Sequence, residues 1–469
     1  MVPFFSHFDD MLQRIVFLLI LSSLASCASD DASDYTEVID LNERLYAGGE
    51  TTTFSVTSNA YRTPAPNLSA ADLSIHLMGD VDFESVFVTS PSTINQGLGP
   101  VFNNSSCISC HIRDGRAGFP TDINARSGLL LRTSLFGTDE NGGPLPVPGF
   151  GLQVQNQAIF GYSPEANYGV NFSEITEVLA DGTVVILKKP QFSLVNAYAA
   201  MPSGMLLSPR IGPPVFGLGL LEAMQEADIL ALQDITDANG DGISGKANYV
   251  WDPELGQTVI GRFGWKANTG TIRQQCAAAY VEDMGITNLL FQNETGHDQS
   301  NGQDGLTDDP ELTHEILDQI VLYCRTLAVP APRNIDNLQV REGAVIFDQL
   351  ECAKCHMPRQ QTGYSPISAI SNQVFYPYTD MLLHDMGEGL ADNRPDFLAS
   401  GREWKTRPLW GIGLTQLVNG HTDFLHDGRA RNLTEAILWH GGEGENAKNK
   451  FKALTKAKRD ALLAFLNSL

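Results

Sequence analysis

The spacing of hydrophobic residues predicts three amphipathic helices in the second half of the chain. Apolar residues recur at intervals of three and four over residues 271–284, 313–327 and 338–350, which is the period of one helix face. Residues 329–333 lie between the second and third stretches and contain two prolines, which break a helix. We therefore expect a linker at that point and a domain boundary after residue 332.

The middle of the chain has a different pattern, in which short β-rich runs mix with glycine and proline over residues 128–206. Residues 174–179 and 183–187 are two such runs, and the Ala-Asp-Gly sequence between them predicts a β-hairpin. Residues 28–67 are rich in Asp, Ser and Thr and predict a tether.

The first 27 residues look like a bacterial lipoprotein signal peptide. Arg14 precedes an apolar run over residues 15–21 that is too short to span a bilayer, and a Leu-Ala-Ser-Cys sequence like a lipobox ends at Cys27. Lipidation of Cys27 predicts a protein of a bacterial cell envelope, periplasm-facing or at the surface, that contacts the membrane only through its lipid anchor. A buried N-terminal helix is the alternative.

Composition and charge exclude some classes of partner. A hydrophobic content of 42% with 18% charged residues is typical of a globular chain. The formal net charge of −24 argues against nucleic acid and against electrostatic attachment to anionic lipid, because both are polyanions. The acidic surface favours a basic partner or serves solubility.

Two Cys-x-x-Cys-His sequences, at residues 107–111 and 352–356, carry the strongest chemical signal. This spacing is that of c-type haem attachment, in which both thiols bond to the porphyrin and the adjacent imidazole binds the iron. A thioredoxin-like pair or half of a zinc site is the alternative, but the further Cys or His spacing of a zinc site is missing. We therefore predict two covalently bound haem c groups. The predicted attachment residues are Cys107, Cys110, His111, Cys352, Cys355 and His356.

The remaining two of the seven cysteines are Cys276 and Cys324, after one is assigned to lipid and four to haem. Each falls on the apolar face of a predicted helix. In an exported protein two such thiols predict a disulfide. Two unpaired core thiols are the alternative, because buried cysteine is common.

A short acidic loop has the spacing of a calcium-binding loop. Oxygen-bearing side chains occupy its first, third and fifth positions, and Gly242 occupies the sixth. Asn248 stands at the twelfth position, where a Glu is usual, and a polar turn without an ion is the alternative. The candidate Ca²⁺ ligands are Asp237, Asn239, Asp241 and the carbonyl of Ile243.

The two haem motifs, their separation and the C-terminal segment resemble the bacterial di-haem cytochrome c peroxidase superfamily, and most closely its di-haem oxidoreductase or "thiol oxidoreductase-like" branch. The matching stretches are residues 99–115, 261–267, 382–387 and 404–442. The resemblance implies a mainly α fold of two cytochrome c-like haem domains, with the first enlarged by β-hairpins and loops. The predicted segments are a signal peptide (1–27), a tether (28–67), an N-terminal haem domain with the calcium loop (68–332) and a C-terminal haem domain (333–469).

The resemblance also implies a sixth ligand for the C-terminal haem. Residues 424–430 look like the family's aromatic-x-His-Asp-Gly loop around His426, and the family's methionine ligand fourteen residues later corresponds here to His440. A capping box at Asn432 and Glu435 predicts a helix that points His440 inward. The C-terminal haem is thus expected to be bis-imidazole, His356/His440. The competing ligands are His384, Met386 and His421.

At the N-terminal haem, the family places a Gln and, ten residues later, a Glu that act on bound peroxide. Gln155 and Glu165 have that spacing and are the predicted catalytic residues, with Gln153 and Gln157 as competitors for the Gln position. A carboxylate can move a proton between the peroxide oxygens. The family's Trp between the haems has no counterpart, because all five Trp lie at or beyond Trp251.

These features predict an exported, peroxidase-like haem oxidoreductase. Its N-terminal haem would react with peroxide or another oxidant, and its C-terminal haem would transfer electrons from a small cytochrome or cupredoxin. The alternatives are a non-enzymatic di-haem electron carrier and an oxidase of a protein or thiol substrate.

Overall fold

A computed structural model of the protein describes residues 39–120, 122, 126–296, 299–303 and 305–469. The predicted signal peptide and Cys27 lie outside these residues. Within them, no helix is long and apolar enough to cross a membrane.

The predicted fold class is wrong. The chain is 30% helical and 21% strand, with many small sheets, and is not mainly α with two cytochrome c-like domains. The long segments between the predicted helices pair in short strands, because their backbone groups must be hydrogen-bonded where they are buried. The helical spacing of the second half was therefore a poor guide to the whole.

The helices are short, apart from five of twelve or more residues. They are α1 (Ala70–Glu84), α2 (Cys107–Cys110), α3 (Leu218–Glu222), α4 (Glu226–Ala231), α5 (Ile272–Met284), α6 (His314–Thr326), α7 (Leu338–Gln349), α8 (Gly387–Leu390), α9 (Thr415–Asn419), α10 (Leu433–Leu438), α11 (Glu445–Ala453) and α12 (Lys456–Ser468). The predicted helices at 271–284, 313–327 and 338–350 are confirmed as α5, α6 and α7.

The strands are mostly of two to six residues. They are β1 (Thr52–Thr53), β2 (Val101–Phe102), β3 (Leu129–Thr138), β4 (Pro144–Leu145), β5 (Gln153–Val154), β6 (Gln157–Ala158), β7 (Asn167–Val178), β8 (Val184–Val195), β9 (Leu206–Ile211), β10 (Tyr249–Asp252), β11 (Gln257–Ile260), β12 (Val329–Pro330), β13 (Gln360–Gln361), β14 (Val374–Phe375), β15 (Leu383–Asp385) and β16 (Glu403–Lys405).

Helices α1, α5 and α6 build the first hydrophobic core. Each begins at a hydroxyl residue whose side chain accepts a backbone N–H of the first turn, which satisfies a donor that the helix cannot. Their inward faces bury Phe83, Tyr280 and Tyr323. This core lies beside the first haem motif, since Phe83 packs 6.2 Å from the His111 ring, centroid to centroid.

Helices α7 and α12 build the second core, which lies beside the second haem motif. Phe347 of α7 packs edge-to-face on Phe465 of α12, with ring centroids 5.5 Å apart. The two backbones are in contact at Gly343, where an added Cβ would lie 2.0 Å from the Ala461 carbonyl oxygen. Any larger residue at position 343 would separate the helices.

Two β elements occupy the middle of the chain. Strand β3 is paired antiparallel with β4, β5 and β9 in a four-stranded sheet. The predicted hairpin is confirmed and extends further than the alternating runs, because β7 and β8 pair over all twelve residues of each strand. Its turn contains Gly182 at φ +81, a conformation that favours glycine.

The described part of the predicted tether, residues 39–67, packs on the rest of the chain. Strand β1 pairs in parallel with β12. Tyr61 is buried, stacks on Phe216 at 4.4 Å and donates a 2.6 Å hydrogen bond to the Gly411 carbonyl. This segment therefore supplies part of a buried wall.

Candidate functional site: two haem-attachment motifs

The first motif forms a single helical turn, α2, followed by His111. The His111 amide donates to the Cys107 carbonyl at 3.0 Å, and this closes the turn. Cys107, Cys110 and His111 all line one cavity of about 520 Å³. One turn of chain thus presents two thiols and an imidazole to the same space, as the spacing requires.

The orientation of the His111 ring is fixed by its backbone partner. Its Nδ1 lies 2.7 Å from the Pro213 carbonyl oxygen. Because a carbonyl only accepts, Nδ1 carries the hydrogen and Nε2 keeps its lone pair for a metal. Burial lowers the pKa of His111, so the ring stays neutral. Gly212 allows this approach, since a Cβ there would lie 3.3 Å from His111 Cε1.

The cavity combines apolar walls with eight charged side chains. Its volume lies in the range of cofactor sites. Two buried donor atoms of its lining arginines, Arg132 Nε and Arg394 Nη2, have no hydrogen-bond partner among the described residues. The thiols, the imidazole and the unpaired donors together fit a haem with its carboxylates. The charged lining residues are Arg132, Asp139, Arg210, Glu282, Asp283, Arg394, Asp396 and Arg407.

The second motif repeats the arrangement at the imidazole. The His356 amide donates to the Cys352 carbonyl at 2.9 Å, and His356 Nδ1 lies 3.1 Å from the Tyr378 carbonyl oxygen. Nε2 is again left with its lone pair. Burial, together with the neighbouring His440, lowers the pKa of His356 to about 4.

His440 has the same hydrogen-bond pattern as the two motif histidines. Its Nδ1 lies 2.8 Å from the Ala436 carbonyl oxygen, and burial lowers its pKa. The predicted cap is present, since Asn432 Oδ1 accepts from the Glu435 amide at 2.9 Å. The helix ends at Leu438, earlier than the sequence suggests, so His440 lies in the turn that follows. Its role as an iron ligand stays a prediction.

The competing histidines have both ring nitrogens occupied. His384 Nε2 lies 2.8 Å from Asp380 Oδ2, and its Nδ1 lies 2.6 Å from Glu443 Oε2. His421 Nε2 lies 3.1 Å from the Arg116 carbonyl, while its Nδ1 accepts from the Asp423 amide. Neither ring therefore offers a free lone pair.

Two further residues near the predicted C-terminal site are placed by packing. His426 stacks on Trp404 at 3.9 Å, so its ring packs against an aromatic neighbour. Met386 is half-buried, and its Cε would lie 3.3 Å from a Cβ at Gly444, where the His440 ring also approaches. Met386 is thus a neighbour of His440.

The cluster around His384 is the one group of metal-ligating side chains that the described residues bring together. Cys355, Asp380 and His384 offer ligand atoms within 4.8 Å of one another. In a c-type protein the Cys355 sulfur would be a thioether, which is a weaker metal ligand than a thiolate. Both nitrogens of His384 are already occupied by the carboxylates of Asp380 and Glu443. We read the cluster as the polar wall of the second site.

Gln155 and Glu165 are brought together, but outside the cavity lining. The Gln155 amide donates to Glu165 Oε2 at 2.7 Å, and Gln155 Nε2 donates to the Glu282 carbonyl at 2.6 Å. Burial raises the pKa of Glu165 to about 8. The competitor Gln153 donates at 2.7 Å to Asp283 Oδ1. The predicted pair therefore lies outside the cavity lining, and Gln155 contacts Glu282, which does line the cavity.

The cavity carboxylates and arginines were missed by the sequence reasoning. Glu282 and Asp283 lie at the end of helix α5, and Arg132 lies in strand β3. Arg132 forms an ion pair with Glu282 and donates to Gln153 Oε1 at 3.0 Å. No local motif marks these residues, because their partners are far apart in the chain.

The predicted calcium loop uses most of its side chains to bind its own backbone. Asn239 and Asp241 each accept from an amide two residues on, and Asp241 pairs with Lys354 at 3.0 Å. Asp237 Oδ1 is buried and has no hydrogen-bond partner among the residues described. Asn248 points away and donates to the carbonyls of Lys266 and Asp396. Calcium binding stays a prediction.

Cys276 and Cys324 lie together in the wall of the large cavity as free thiols. The neighbouring Cys276, followed by burial, raises the pKa of the Cys324 thiol well above its usual value. The placement is compatible with either a disulfide or two core thiols, and both predictions remain open.

Comparison with known proteins identifies the family. No curated protein matches the sequence. Among solved structures, a chain of Kuenenia stuttgartiensis hydrazine synthase, pressurised with 20 bar xenon, is similar over 90% of this chain and 94% of that one, with 13% identity and a TM-score of 0.34. That likeness is too distant to support a conclusion. The family described as "Di-haem oxidoreductase, putative peroxidase" matches residues 42–469. The chain therefore belongs to the di-haem oxidoreductase family, which implies that it binds haem.

Proposed function

We propose that the protein is a di-haem c oxidoreductase that reduces peroxide at its N-terminal site. The observation that supports this most is the cavity of about 520 Å³, which Cys107, Cys110 and His111 line together with ionisable side chains. The hydrogen bond from His111 Nδ1 to the Pro213 carbonyl leaves the Nε2 lone pair for a metal. Haem held there would supply the iron that takes up peroxide. Reduction of one H₂O₂ to two waters consumes two electrons and two protons.

The chain's own residues would hold and deliver the protons. Asp283 lines the cavity, and burial raises its pKa to about 6, against a lowering by its hydrogen bond from Gln153. A carboxyl group with that pKa can both release and take up a proton near neutrality. Glu165, with its pKa raised to about 8 by burial, would act as a proton reserve behind it.

Arg132 would stabilise negative charge that develops in the cavity. Its Nη1 is held by Glu282 and Gln153, and its buried Nε has no partner. A preorganised N–H donor in a water-poor site is effective at this task, because it needs no reorganisation during the reaction.

The second site would store and relay electrons. Among the described residues, only Nδ1 of His356 and of His440 is hydrogen-bonded, which leaves each Nε2 for iron. Two imidazoles give a lower potential than a His/Met pair. We propose that a small cytochrome or cupredoxin donates the electrons. We also propose that lipidation at Cys27 holds the protein in the cell envelope, and that the Asp237 loop binds Ca²⁺.

The proposal is tested with protein produced where haem c maturation operates. We expect an intact mass with two haems, a high-spin ferric component from the N-terminal site, and peroxide turnover with a reduced small cytochrome. Asp283→Asn should lower kcat/KM for peroxide about 100-fold, the scale of a lost general acid–base group. Asp139→Asn is the matched control, since Asp139 also lines the cavity but accepts from the turn amide of Gly143.

Other results would contradict the proposal. Two low-spin haems that ignore cyanide and peroxide would indicate the electron-carrier alternative. An Asp283→Asn enzyme with unchanged turnover would remove Asp283 from the mechanism and leave the haem assignment intact.

A further inference from the structure

A second, much smaller cavity adjoins the large one. It has a volume of about 30 Å³, and three cations line it, namely Arg116, Lys405 and Arg407. Arg407 lines both cavities, so its side chain forms part of the wall between them. Tyr61 and Trp410 contribute apolar surface to the small cavity.

The three cations have no carboxylate partner in the part of the chain that the structure describes. Among the described residues, no carboxylate oxygen lies within 4.0 Å of any of them, although Asp423 is in electrostatic range of Arg116. Arg116 donates at 3.1 Å to the Asp423 carbonyl, and Lys405 donates to the Arg262 carbonyl. Within the described part of the chain, the Arg407 guanidinium has no hydrogen-bond partner, and it packs over the Trp265 ring at 4.9 Å.

This arrangement is costly without an anion. Arg116 and Lys405 are buried, and burial lowers the pKa of Lys405 well below its usual value, with Arg407 adding to the effect. Burial likewise lowers the pKa of Arg407 to about 9, with repulsion from Arg116 as the second cause. Buried charges are expected to be paired. A negative group between Arg116, Lys405 and Arg407 would therefore stabilise the charged forms of these side chains.

The other arginines of the large cavity show what pairing looks like in the same wall. Arg210 and Arg394 each lie 2.5 Å from an oxygen of Asp396. Arg132 is paired with Glu282. The deficit of negative charge is thus local to the small cavity.

We propose that Arg116, Lys405 and Arg407 form an anion site that holds a carboxylate of the haem in the large cavity. This rests on the proposed function, which takes the large cavity as a haem site. A volume of about 30 Å³ has room for roughly two water-sized groups, which matches the two oxygens of one carboxylate. Because Arg407 lines both cavities, a carboxylate in the small cavity would lie beside Arg407 while the haem occupies the large one.

The experiment compares holoproteins with intact haem. Arg407→Gln removes a cation beside the carboxylate, so it should lower the midpoint potential of the N-terminal haem and shift the haem-carboxylate bands in its resonance Raman spectrum. We expect the one-electron equilibrium to change roughly tenfold, about 59 mV. Arg407→Lys keeps the charge and should restore most of the potential. Arg402→Gln is the control, because it removes the same charge from an exposed side chain five residues away.

The two sources of the anion are distinguished with wild-type holoprotein. If a haem carboxylate fills the site, the potential will not change when chloride replaces phosphate at constant ionic strength. A potential that follows the identity or concentration of the free anion would show a free ion in the site and overturn the proposal. An unchanged potential and Raman spectrum in Arg407→Gln would overturn it as well.

Failure of the proposed function is seen separately, in the mass. A protein that carries no haem fails at that step, before any potential is measured. If Arg407→Gln does not fold, the Arg407→Lys holoprotein decides, since a carboxylate bound by a fork of N–H donors must change its Raman bands when a single ammonium replaces that fork.

Discussion

The two haem-attachment motifs hold their histidines in the same way but differ in the residues that surround them. In both, the motif histidine gives its Nδ1 hydrogen to a backbone carbonyl, at 2.7 Å in His111 and 3.1 Å in His356. His111 borders a cavity of about 520 Å³ with buried acids and arginines, whereas His356 has a second imidazole, His440, as its electrostatic neighbour. The pentapeptide thus defines only the two cysteines and the histidine of each site, and not the residues that surround them.

Charge is also handled differently at the two sites. Near the first, burial raises the pKa of Asp283 to about 6 and that of Glu165 to about 8, so both carboxyl groups bind a proton more readily than they do in water. At the second, burial by itself lowers the pKa of His384, but hydrogen bonds to Asp380 and Glu443 raise it well above its ordinary value. The first site thus has buried carboxyl groups that can bind a proton. The second has a histidine held between two carboxylates.

The largest expected effect comes from removing the imidazole that distinguishes the second site. His440→Gly deletes the proposed sixth ligand and should convert the C-terminal haem from low to high spin, with the N-terminal haem unchanged. EPR and optical spectra of the ferric protein measure this.

His421→Gln is the matched control, because both nitrogens of His421 are already hydrogen-bonded. It should leave the C-terminal haem low-spin. A low-spin C-terminal haem in His440→Gly would remove His440 as the ligand and make Met386 the next candidate.

The sequence could predict the attachment cysteines and the motif histidine of both sites. It could not predict the charged residues that line the cavity of the first. Short spacings such as Cys-x-x-Cys-His act within one turn of chain, which explains why Cys107 and His111 line one cavity as expected. Helix periodicity and caps were equally local, and α5, α6 and α7 were found where predicted. The cavity charges are long-range, since Arg132 and Glu282 are 150 positions apart.

The fold class failed for a related reason. Strand pairing depends on partners that are remote in sequence, such as β3 with β9 or β1 with β12. Periodicity does not report those partners, so the short β-rich runs could be recognised over residues 128–206 but not assembled into sheets. Gln155 and Glu165 are in contact, and their catalytic role stays a prediction. Their position outside the cavity lining depends on the contact of Gln155 with Glu282 of α5, a residue remote in sequence.

A middle-sized effect concerns the neutral acid of the first site. Burial raises the pKa of Glu165 from 4.5 to about 8, so the folded protein binds a proton that the unfolded chain releases. Its contribution to stability is full below pH 4.5 and is lost as the pH rises to about 8. The loss is on the order of 5 kcal/mol, since each pKa unit corresponds to about 1.4 kcal/mol. Glu165→Gln should remove it, making the variant more stable than wild type at pH 8.

Chemical unfolding at several pH values measures this prediction. Glu443→Gln is the matched change at the second site, and it should destabilise the protein by about 1–3 kcal/mol at neutral pH because His384 loses a carboxylate partner. If Glu165→Gln shows the wild-type pH dependence, the proton reserve at the first site is not Glu165.

The smallest expected effect tests whether calcium acts on the second site alone. Asp241 of the loop pairs at 3.0 Å with Lys354, which lies inside the second motif, so Ca²⁺ at Asp237 would reach that site through one ion pair. We expect Ca²⁺ to raise the Tm of the holoprotein by about 2 °C, as for a ligand that binds only the folded state. Asp237→Asn should abolish this increase, whereas Asp336→Asn, at an exposed carboxylate, should not. The potential of the N-terminal haem should stay constant throughout, because the loop contacts Lys354 and not the first cavity. A Tm that is the same with Ca²⁺ and with a chelator would make the loop a polar turn and leave the two sites to differ by their iron surroundings alone.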